Sequence, residues 1–423
     1  MLARKKSKLF ISHSLPYYKD IMEERDHRII GKELDLFTFS DLVGPGLPLW
    51  TPKGTIVRDE IDKFVWEMRQ ARGYERVTIP HITKRELYDT SGHWEKFAED
   101  LFKVTSRDGR EMALKPMNCP HHTQIFDRKP HSYREMPQRY AETTMVYRDE
   151  QSGELGGLTR VLSITQDDAH VFCRTTQIRE EFLKIWDIID IFYKTFGFTL
   201  KVRLSFRDPA HPEKYIGTPE IWDMAEKQLR EMAEERGADY IEGPGEAALY
   251  APKLDFMAKS ATGREWQVAT IQLDLNMSDR FDLTCINEEG KKERIYMIHA
   301  AITGSLERCV AVLLEHLDGV LPTWLSPVQA TVIPIGEAHA AFAQDTVERL
   351  KEAGIRAEAD YSAESLGKKI RTAKTSKVPY LLVIGDAEVA AGTVTLEGRE
   401  GKLGAMPIAD IVKKLSDEIK TRA

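Results

Sequence analysis

VYRDEQSGELGGLTRVLSITQDDAH, residues 146–170, is the stretch on which the fold turns. Arg148 and Glu150 stand two apart in a β-rich run, where strand alternation points both side chains to one face. The glycines of GELGG allow a reversal, and a second run follows with Arg160 and the β-branched and apolar LTRVLSITQDDAHVFC, the pattern of a buried strand. Such a hairpin can hold a nucleotide, with Arg148 and Arg160 forking onto phosphates and Glu150 accepting from an exocyclic amine. Taken alone it serves equally as a charged hairpin with surface ion pairs.

Upstream, TIVRDEIDKFVWEMRQARG places Ile61, Phe64, Val65 and Met68 at helical spacing before Gly73, and YERVTIPHI follows as a short β-rich run whose Pro80 marks an edge strand or a strand end. Downstream, REEFLKIWDIIDIFYKTFG predicts a helix ending at Gly197. TLKVRLSF, KLDFMAKS and EWQVATIQLDL predict strands, and PEIWDMAEKQLREMAEERG predicts a helix among them. Strands in succession with helices set apart imply a mainly antiparallel sheet. Beyond Pro322 and Pro327 the pattern changes. Strand VQATVIPI, a helix with Ala343, Val347 and Leu350 on one face, strand IRAEADY, helix LGKKIRTAKT, strand PYLLVIG and a last helix alternate as in a compact α/β domain.

A chain of 423 residues with 42% hydrophobic and 30% charged residues is the size and composition of a globular protein of at least two domains. The opening MLARKKSKLF is basic, but acidic residues follow without an apolar signal core, so RKKSK is expected to be a solvated end and the chain cytoplasmic. No run reaches membrane-spanning length. Cys119, Cys173, Cys285 and Cys309 have no repeating spacing, which excludes a disulfide framework and fits a reducing compartment. A net charge of −7 argues against a non-specific nucleic-acid coat, though not against a local basic groove. MNCPHH, residues 117–122, lacks the paired cysteines of a zinc knuckle, leaving Cys119 as a buried thiol, part of a local cluster, or one ligand of a site completed elsewhere.

Taken together, these segments resemble the class II aminoacyl-tRNA synthetases, and among them the threonyl-tRNA synthetases, from about Asp26 onward. The helix with VTIPHI resembles motif 1, a dimer element; YRDEQSGELGGLTRV resembles motif 2; GSLER, residues 304–308, resembles motif 3. DHRIIGKELDLF, SGHWEKF, KPMNCPHH, TQDDAHVFC and PTWLSPVQ are the more specific marks of the threonyl branch. The implied fold class is α/β (α+β), an antiparallel-sheet catalytic domain with helices followed by a small α/β anticodon-binding domain. The implied division is 1–33 as an extension or linker helix, 34–324 as the catalytic domain and 325–423 as the anticodon-binding domain.

The resemblance implies ATP-dependent ligation of L-threonine to tRNA(Thr) through a threonyl-adenylate, by a homodimer. Cys119, His170 and His299 are then ligands of one Zn2+ per subunit, with His121 and His122 as bystanders and one of them standing where Gly is familiar. Zinc suits the task, since a site that demands a hydroxyl rejects the isostere valine. Gln166, Asp168, Tyr250, Met117 and Ser305 are implied as substrate-binding residues. Arg148, Glu150, Arg160, Gln267, Gln272 and Arg308 are implied around ATP and its Mg2+, and Lys253 as a further residue of the site. His93 matches the family histidine that assists deprotonation of the tRNA ribose, a task suited to neutral pH. In the C-terminal domain Arg371 and Glu388 match anticodon-reading positions, but Ala363 stands where Asn is familiar and Glu397 where Arg is. A carboxylate facing RNA repels phosphate. No room is expected before Asp26 for the family's editing module, which leaves serine editing to a separate protein in trans. The rival expectation is a synthetase-like paralogue with an RNA-binding, regulatory, resistance or biosynthetic role.

Overall fold

The computed structural model describes residues 26–260 and 263–422; the basic RKKSK end lies outside them. Helix α1 (His27–Glu33) is capped by Asp26, whose side chain accepts from the Arg28 amide. Helix α2 (Pro52–Gln70) starts with Thr51 as cap and Pro52 in its first turn, and buries Ile61, Phe64, Val65 and Met68, the face its spacing predicted. Gly54 lets that first turn meet the preceding chain, since a Cβ there would stand 1.8 Å from the Leu36 carbonyl oxygen. We therefore expect Gly54→Ala to lower the urea midpoint by overpacking, about 1–3 kcal/mol or more of stability, with the ligand cleft's own residues untouched.

The central sheet has eight strands: β1 (Glu75–Arg76), β2 (Gln138–Tyr147), β3 (Ser163–Cys173), β4 (Leu200–Phe206), β5 (Tyr240–Pro244), β6 (Lys253–Lys259), β7 (Glu265–Asp274) and β8 (Tyr296–Ala301), in the spatial order β5-β4-β6-β7-β8-β3-β2-β1. Pairing is antiparallel except at the two edges, where β5 runs parallel to β4 and β1 to β2. Helices α4 (Ile178–Thr195), α5 (Pro219–Glu235) and α6 (Leu306–Leu317) join α2 in one hydrophobic core with the sheet. Strand β3 shows why two faces have two chemistries. Ala169, Val171 and Cys173 enter that helical core, while Phe172 joins a second cluster with Cys119, at the head of helix α3 (Cys119–Phe126).

Several expectations need correction in detail. The first strand of the motif 2 hairpin ends at Tyr147, so Arg148 and Glu150 lie beyond it and strand alternation does not orient them. Of YERVTIPHI only Glu75–Arg76 and, separately, the start of Ile82–Lys84 are paired.

The C-terminal unit is a five-stranded sheet of β9 (Ala330–Pro334), β10 (Ala357–Ala359), β11 (Tyr380–Ile384), β12 (Val394–Gly398) and β13 (Gly401–Met406), ordered β10-β9-β11-β12-β13. Its helices include α7 (Ala340–Glu352), α8 (Leu366–Thr375) and α9 (Ile408–Thr421). The antiparallel β12–β13 hairpin interrupts the predicted regular alternation. Between the two units the Pro322–Pro327 segment is a packed joint. Trp324, 2% exposed, lies 5.4 Å from the Phe64 ring, and Arg356 bonds both the Trp324 carbonyl at 2.6 Å and Glu60 at 2.7 Å. No helix of the described residues is long and apolar enough to cross a membrane.

Candidate active site

Three strands build the floor of the cleft. On β3, Gln166, Asp168 and His170 face it, while Asp167 turns to the opposite side and is fully buried. There Asp167 accepts from the Ile302 and Thr303 amides at 2.7 and 3.0 Å and from Arg69 at 3.2 Å, which fastens the end of β8 against α2. His299 of β8 lies directly across from His170, and Gln272 of β7 directly across from His299. Cys119 is delivered from the other side by α3, with Pro120 in that helix's first turn.

Cys119, His170 and His299 are all buried, and one ligand atom from each lies within 4.8 Å of the others. His299 Nε2 faces Asp274 Oδ2 at 3.0 Å; because a carboxylate only accepts, this nitrogen carries the proton and Nδ1 presents its lone pair to His170 Nε2, 3.0 Å away. Burial, with His299 and Arg69 adding to it, holds His170 well below the ordinary histidine range and therefore neutral. Burial likewise pushes the Cys119 thiol up, reinforced by Asp168 and Asp274. The donor set fits a soft or borderline divalent cation with a fixed outer partner, as zinc requires. His122 is less of a bystander than expected, its Nδ1 lying 2.8 Å from His170 Nδ1. His121 is buried with neither ring nitrogen partnered.

Around this set, Asn118 donates to Asp168 at 3.0 Å and Tyr250 to Gln272 at 2.9 Å. The cleft, about 500 Å³, continues from Met117, Tyr250 and Lys253 to Arg148, Glu150, Arg160, Gln267, Ser305 and Arg308. Ser305 caps α6 by accepting from the Arg308 amide at 3.1 Å, so the motif 3 arginine occupies that helix's first turn. The guanidinium of Arg308 also donates to the Thr159 carbonyl at 3.1 Å. Burial lowers its pKa, and the nearby charges of Arg148 and Arg160 lower it further, so three cations converge on one half of the cleft. Arg148 lies over the Phe97 ring at 5.7 Å, while Arg160 pairs with Glu150 at 2.6 Å and Glu154 at 2.9 Å.

Two residues that the sequence did not single out organise the floor. Asp255, fully buried on β6, accepts from Lys253 (3.1 Å), Gln267 (2.7 Å), Thr270 (3.0 Å), Arg203 (3.1 Å) and Ser205 (2.8 Å). Asp274 orients His299 and accepts from the amides of Asn276 and Met277. In sequence each is one more acidic residue in a strand; only cross-strand register reveals their partners.

His93 differs from expectation. It is fully buried, behind the cleft wall, with Nδ1 2.8 Å from Ser91 Oγ and Nε2 3.2 Å from Met117 Sδ, and burial pushes its pKa from 6.5 down to about 4. The expected titration near neutrality is thereby corrected, because desolvation penalises the imidazolium. As pH falls through 6.5 towards 4 the unfolded chain takes a proton that folded His93 refuses, so stability is lost in that window and regained as pH rises. We expect about 3 kcal/mol of such loss from this group, and His93→Gln to flatten the slope of urea midpoint against pH.

Arg371 and Glu388 lie outside the cleft, in the C-terminal unit. Arg371 borders a shallow depression with Ile370, Lys374 and Lys377, whereas Glu388 bonds the Gly385 amide and Thr395. Glu397 does not confront RNA as a bare carboxylate, since Lys374 neutralises it at 2.6 Å.

With this geometry in view, two families match: one described as tRNA synthetase class II core domain (G, H, P, S and T), over residues 102–317, and one described as anticodon binding domain, over residues 329–418. The chain is 47% identical over 409 residues to the threonine–tRNA ligase of Cytophaga hutchinsonii, covering 95% of this chain and 63% of that protein. It is 48% identical over 381 residues to the threonine–tRNA ligase of Deinococcus radiodurans, covering 90% and 59%. The chain thus spans less than two thirds of the length of these curated relatives. The crystal structure of the RNA binding domain of threonyl-tRNA synthetase from Cryptosporidium parvum Iowa II superposes with a TM-score of 0.89 at 38% identity, covering 93% of this chain and 98% of that one.

Proposed function

The chain belongs to the class II aminoacyl-tRNA synthetases, and from that premise we propose that it joins L-threonine to tRNA(Thr) at the expense of ATP, as a homodimer. The observation that supports this most is the meeting, in one cleft, of three converging arginines with a buried Cys–His–His set. The arginines suit a triphosphate and the Cys–His–His set suits an ion that recognises an amino acid by its polar groups.

In the first step the threonine carboxylate attacks the α-phosphorus of ATP, the bond to the β-phosphate oxygen breaks, and pyrophosphate leaves; Mg2+ would accompany the nucleotide and offset its phosphate charge. Arg148 neutralises the α-phosphate, Arg160 and Arg308 the outer phosphates, and Glu150 accepts from the adenine amine after exchanging its contact with Arg160. Gln267 and Gln272 line the site beside Lys253, which Asp255 holds in place. Cys119, His170 and His299 would hold zinc, which when bound supplies Lewis-acid contacts for the amino and hydroxyl groups of threonine. Asp168, held by Asn118, and Gln166 receive that hydroxyl region; Tyr250, with Met117 beside it, faces the amino end; Ser305 sets the start of α6. In the second step the terminal ribose hydroxyl attacks the adenylate carbonyl and AMP leaves. His93, whose Nε2 lies against Met117, is assigned to assist that deprotonation; because burial disfavours its imidazolium, the proton passes on to the departing AMP phosphate.

Arg371 and Glu388 are assigned to anticodon contact, with the Lys374–Glu397 pair beside them limiting repulsion. Exposed Phe39, Leu42, Val43 and Leu49, on the segment before α2, support a homodimer that covers them. The four cysteines are free thiols, in keeping with a cytoplasmic setting. The test is ATP–pyrophosphate exchange with a panel of amino acids: threonine should drive it and valine should not. Exchange driven equally by valine, or by none, would remove the proposal.

A further inference from the structure

The motif DHRIIGKELDLF is left without a task by the chemistry above, although its second residue reaches the motif 2 loop. His27 is 4% exposed, and its Nε2 accepts from the backbone amide of Leu158 at 3.1 Å. Its Nδ1 lies 2.8 Å from Glu315 Oε1 of α6. A backbone N–H only donates and a carboxylate only accepts, so the partners select one neutral tautomer, protonated at Nδ1. Asp26, His27 and Glu315 have the composition of a metal trio, but the Leu158 amide already engages the Nε2 lone pair and Glu315 receives the Nδ1 proton.

The next residue along the loop is held by the same helix. Thr159 offers its carbonyl to Arg308 Nε at 3.1 Å, and Arg308 and Glu315, seven residues apart, share one face of α6. Leu158 and Thr159, immediately before Arg160, are thus fixed at successive residues, the Leu158 N–H through His27 and the Thr159 carbonyl directly. Gly157 permits the approach: its φ is +59°, and a Cβ there would stand 2.5 Å from His27 Nε2. We propose that His27 is a positioning residue for the nucleotide, clamping the motif 2 loop to the motif 3 helix so that Arg160 and Arg308 are presented together to the outer phosphates. This rests on the ligase function proposed above.

The two histidine nitrogens can be tested apart. In His27→Gln the side-chain oxygen can replace Nε2 as acceptor for Leu158, whereas in His27→Asn the amide can replace Nδ1 as donor to Glu315 but leaves the Leu158 N–H without a partner. Three quantities are measured: hydrogen exchange at the Leu158 amide, thermal midpoint, and the KM values for ATP and threonine in pyrophosphate exchange. We expect His27→Asn to speed Leu158 exchange and to raise the KM for ATP, each by about tenfold or more, with the threonine KM unchanged. His27→Gln should rescue both. Equal loss in the two variants, or unchanged Leu158 exchange and ATP KM in His27→Asn, would overturn the clamp. If a His27 variant does not fold, Gly157→Ala, which drives a Cβ against His27 Nε2, should likewise speed Leu158 exchange and raise the ATP KM, and unchanged values of both would overturn the clamp. Should the parent chain lack threonine-dependent exchange, the ligase function fails separately, and Leu158 exchange still decides whether the clamp exists.

Discussion

Replacing Arg308 with Ala should lower threonine-dependent pyrophosphate exchange by about 10² to 10³, the loss of about 2.7–4 kcal/mol typical of removing one preorganised contact to developing charge. Threonine binding should change little, because Arg308 stands at the arginine end of the cleft and the Cys–His–His set is assembled from β3, β8 and α3. The side chain also holds the Thr159 carbonyl, so part of the loss comes from a looser loop. Arg308→Lys separates the two contributions, since it keeps the charge but loses the fork that serves carbonyl and phosphate together. Exchange unchanged in Arg308→Ala would make Arg308 a structural residue.

The second large effect concerns the proposed metal. His299→Ala should abolish stoichiometric zinc and threonine activation while leaving the chain folded; Asp274→Asn, which keeps every ligand but removes the carboxylate behind His299, should weaken zinc by about 10- to 100-fold. Metal content after dialysis against a graded chelator measures both. The sign with pH follows from the thiol. Burial raises the Cys119 pKa, so binding the ion must release that proton and zinc affinity should fall as pH falls. Full zinc retention by His299→Ala would remove the assignment.

Much of the architecture is legible in periodicity. Ile61, Phe64, Val65 and Met68 predict the buried face of α2, and the run of strands predicts the antiparallel sheet. The C-terminal β12–β13 hairpin escapes because only Val394 and Leu396 alternate in β12 before Gly398, and GKLGAM of β13 carries no buried apolar alternation. At the site, the chemistry-bearing residues are visible as types, but their environment is not. His93 has the same letter whether exposed or sealed behind Met117, and it is burial, with His299, Arg280 and Arg148 adding to it, that takes its pKa to about 4. Asp255 gathers Arg203, Ser205, Lys253, Gln267 and Thr270 through strand register, which distance along the chain conceals. Glu397, suspect as a carboxylate near RNA, is disarmed by Lys374 one helix away.

Charging of tRNA is the most direct measurement of the proposed activity. The purified chain is supplied with ATP, Mg2+, zinc and labelled threonine, and with either tRNA(Thr) or a tRNA of another specificity. An alkali-labile threonyl ester should accumulate on tRNA(Thr) and be lost on Arg148→Ala or Cys119→Ser. An active preparation that forms threonyl-adenylate yet never transfers threonine to tRNA(Thr), or one that charges another amino acid in preference, would contradict the assignment of this chain as a threonine–tRNA ligase.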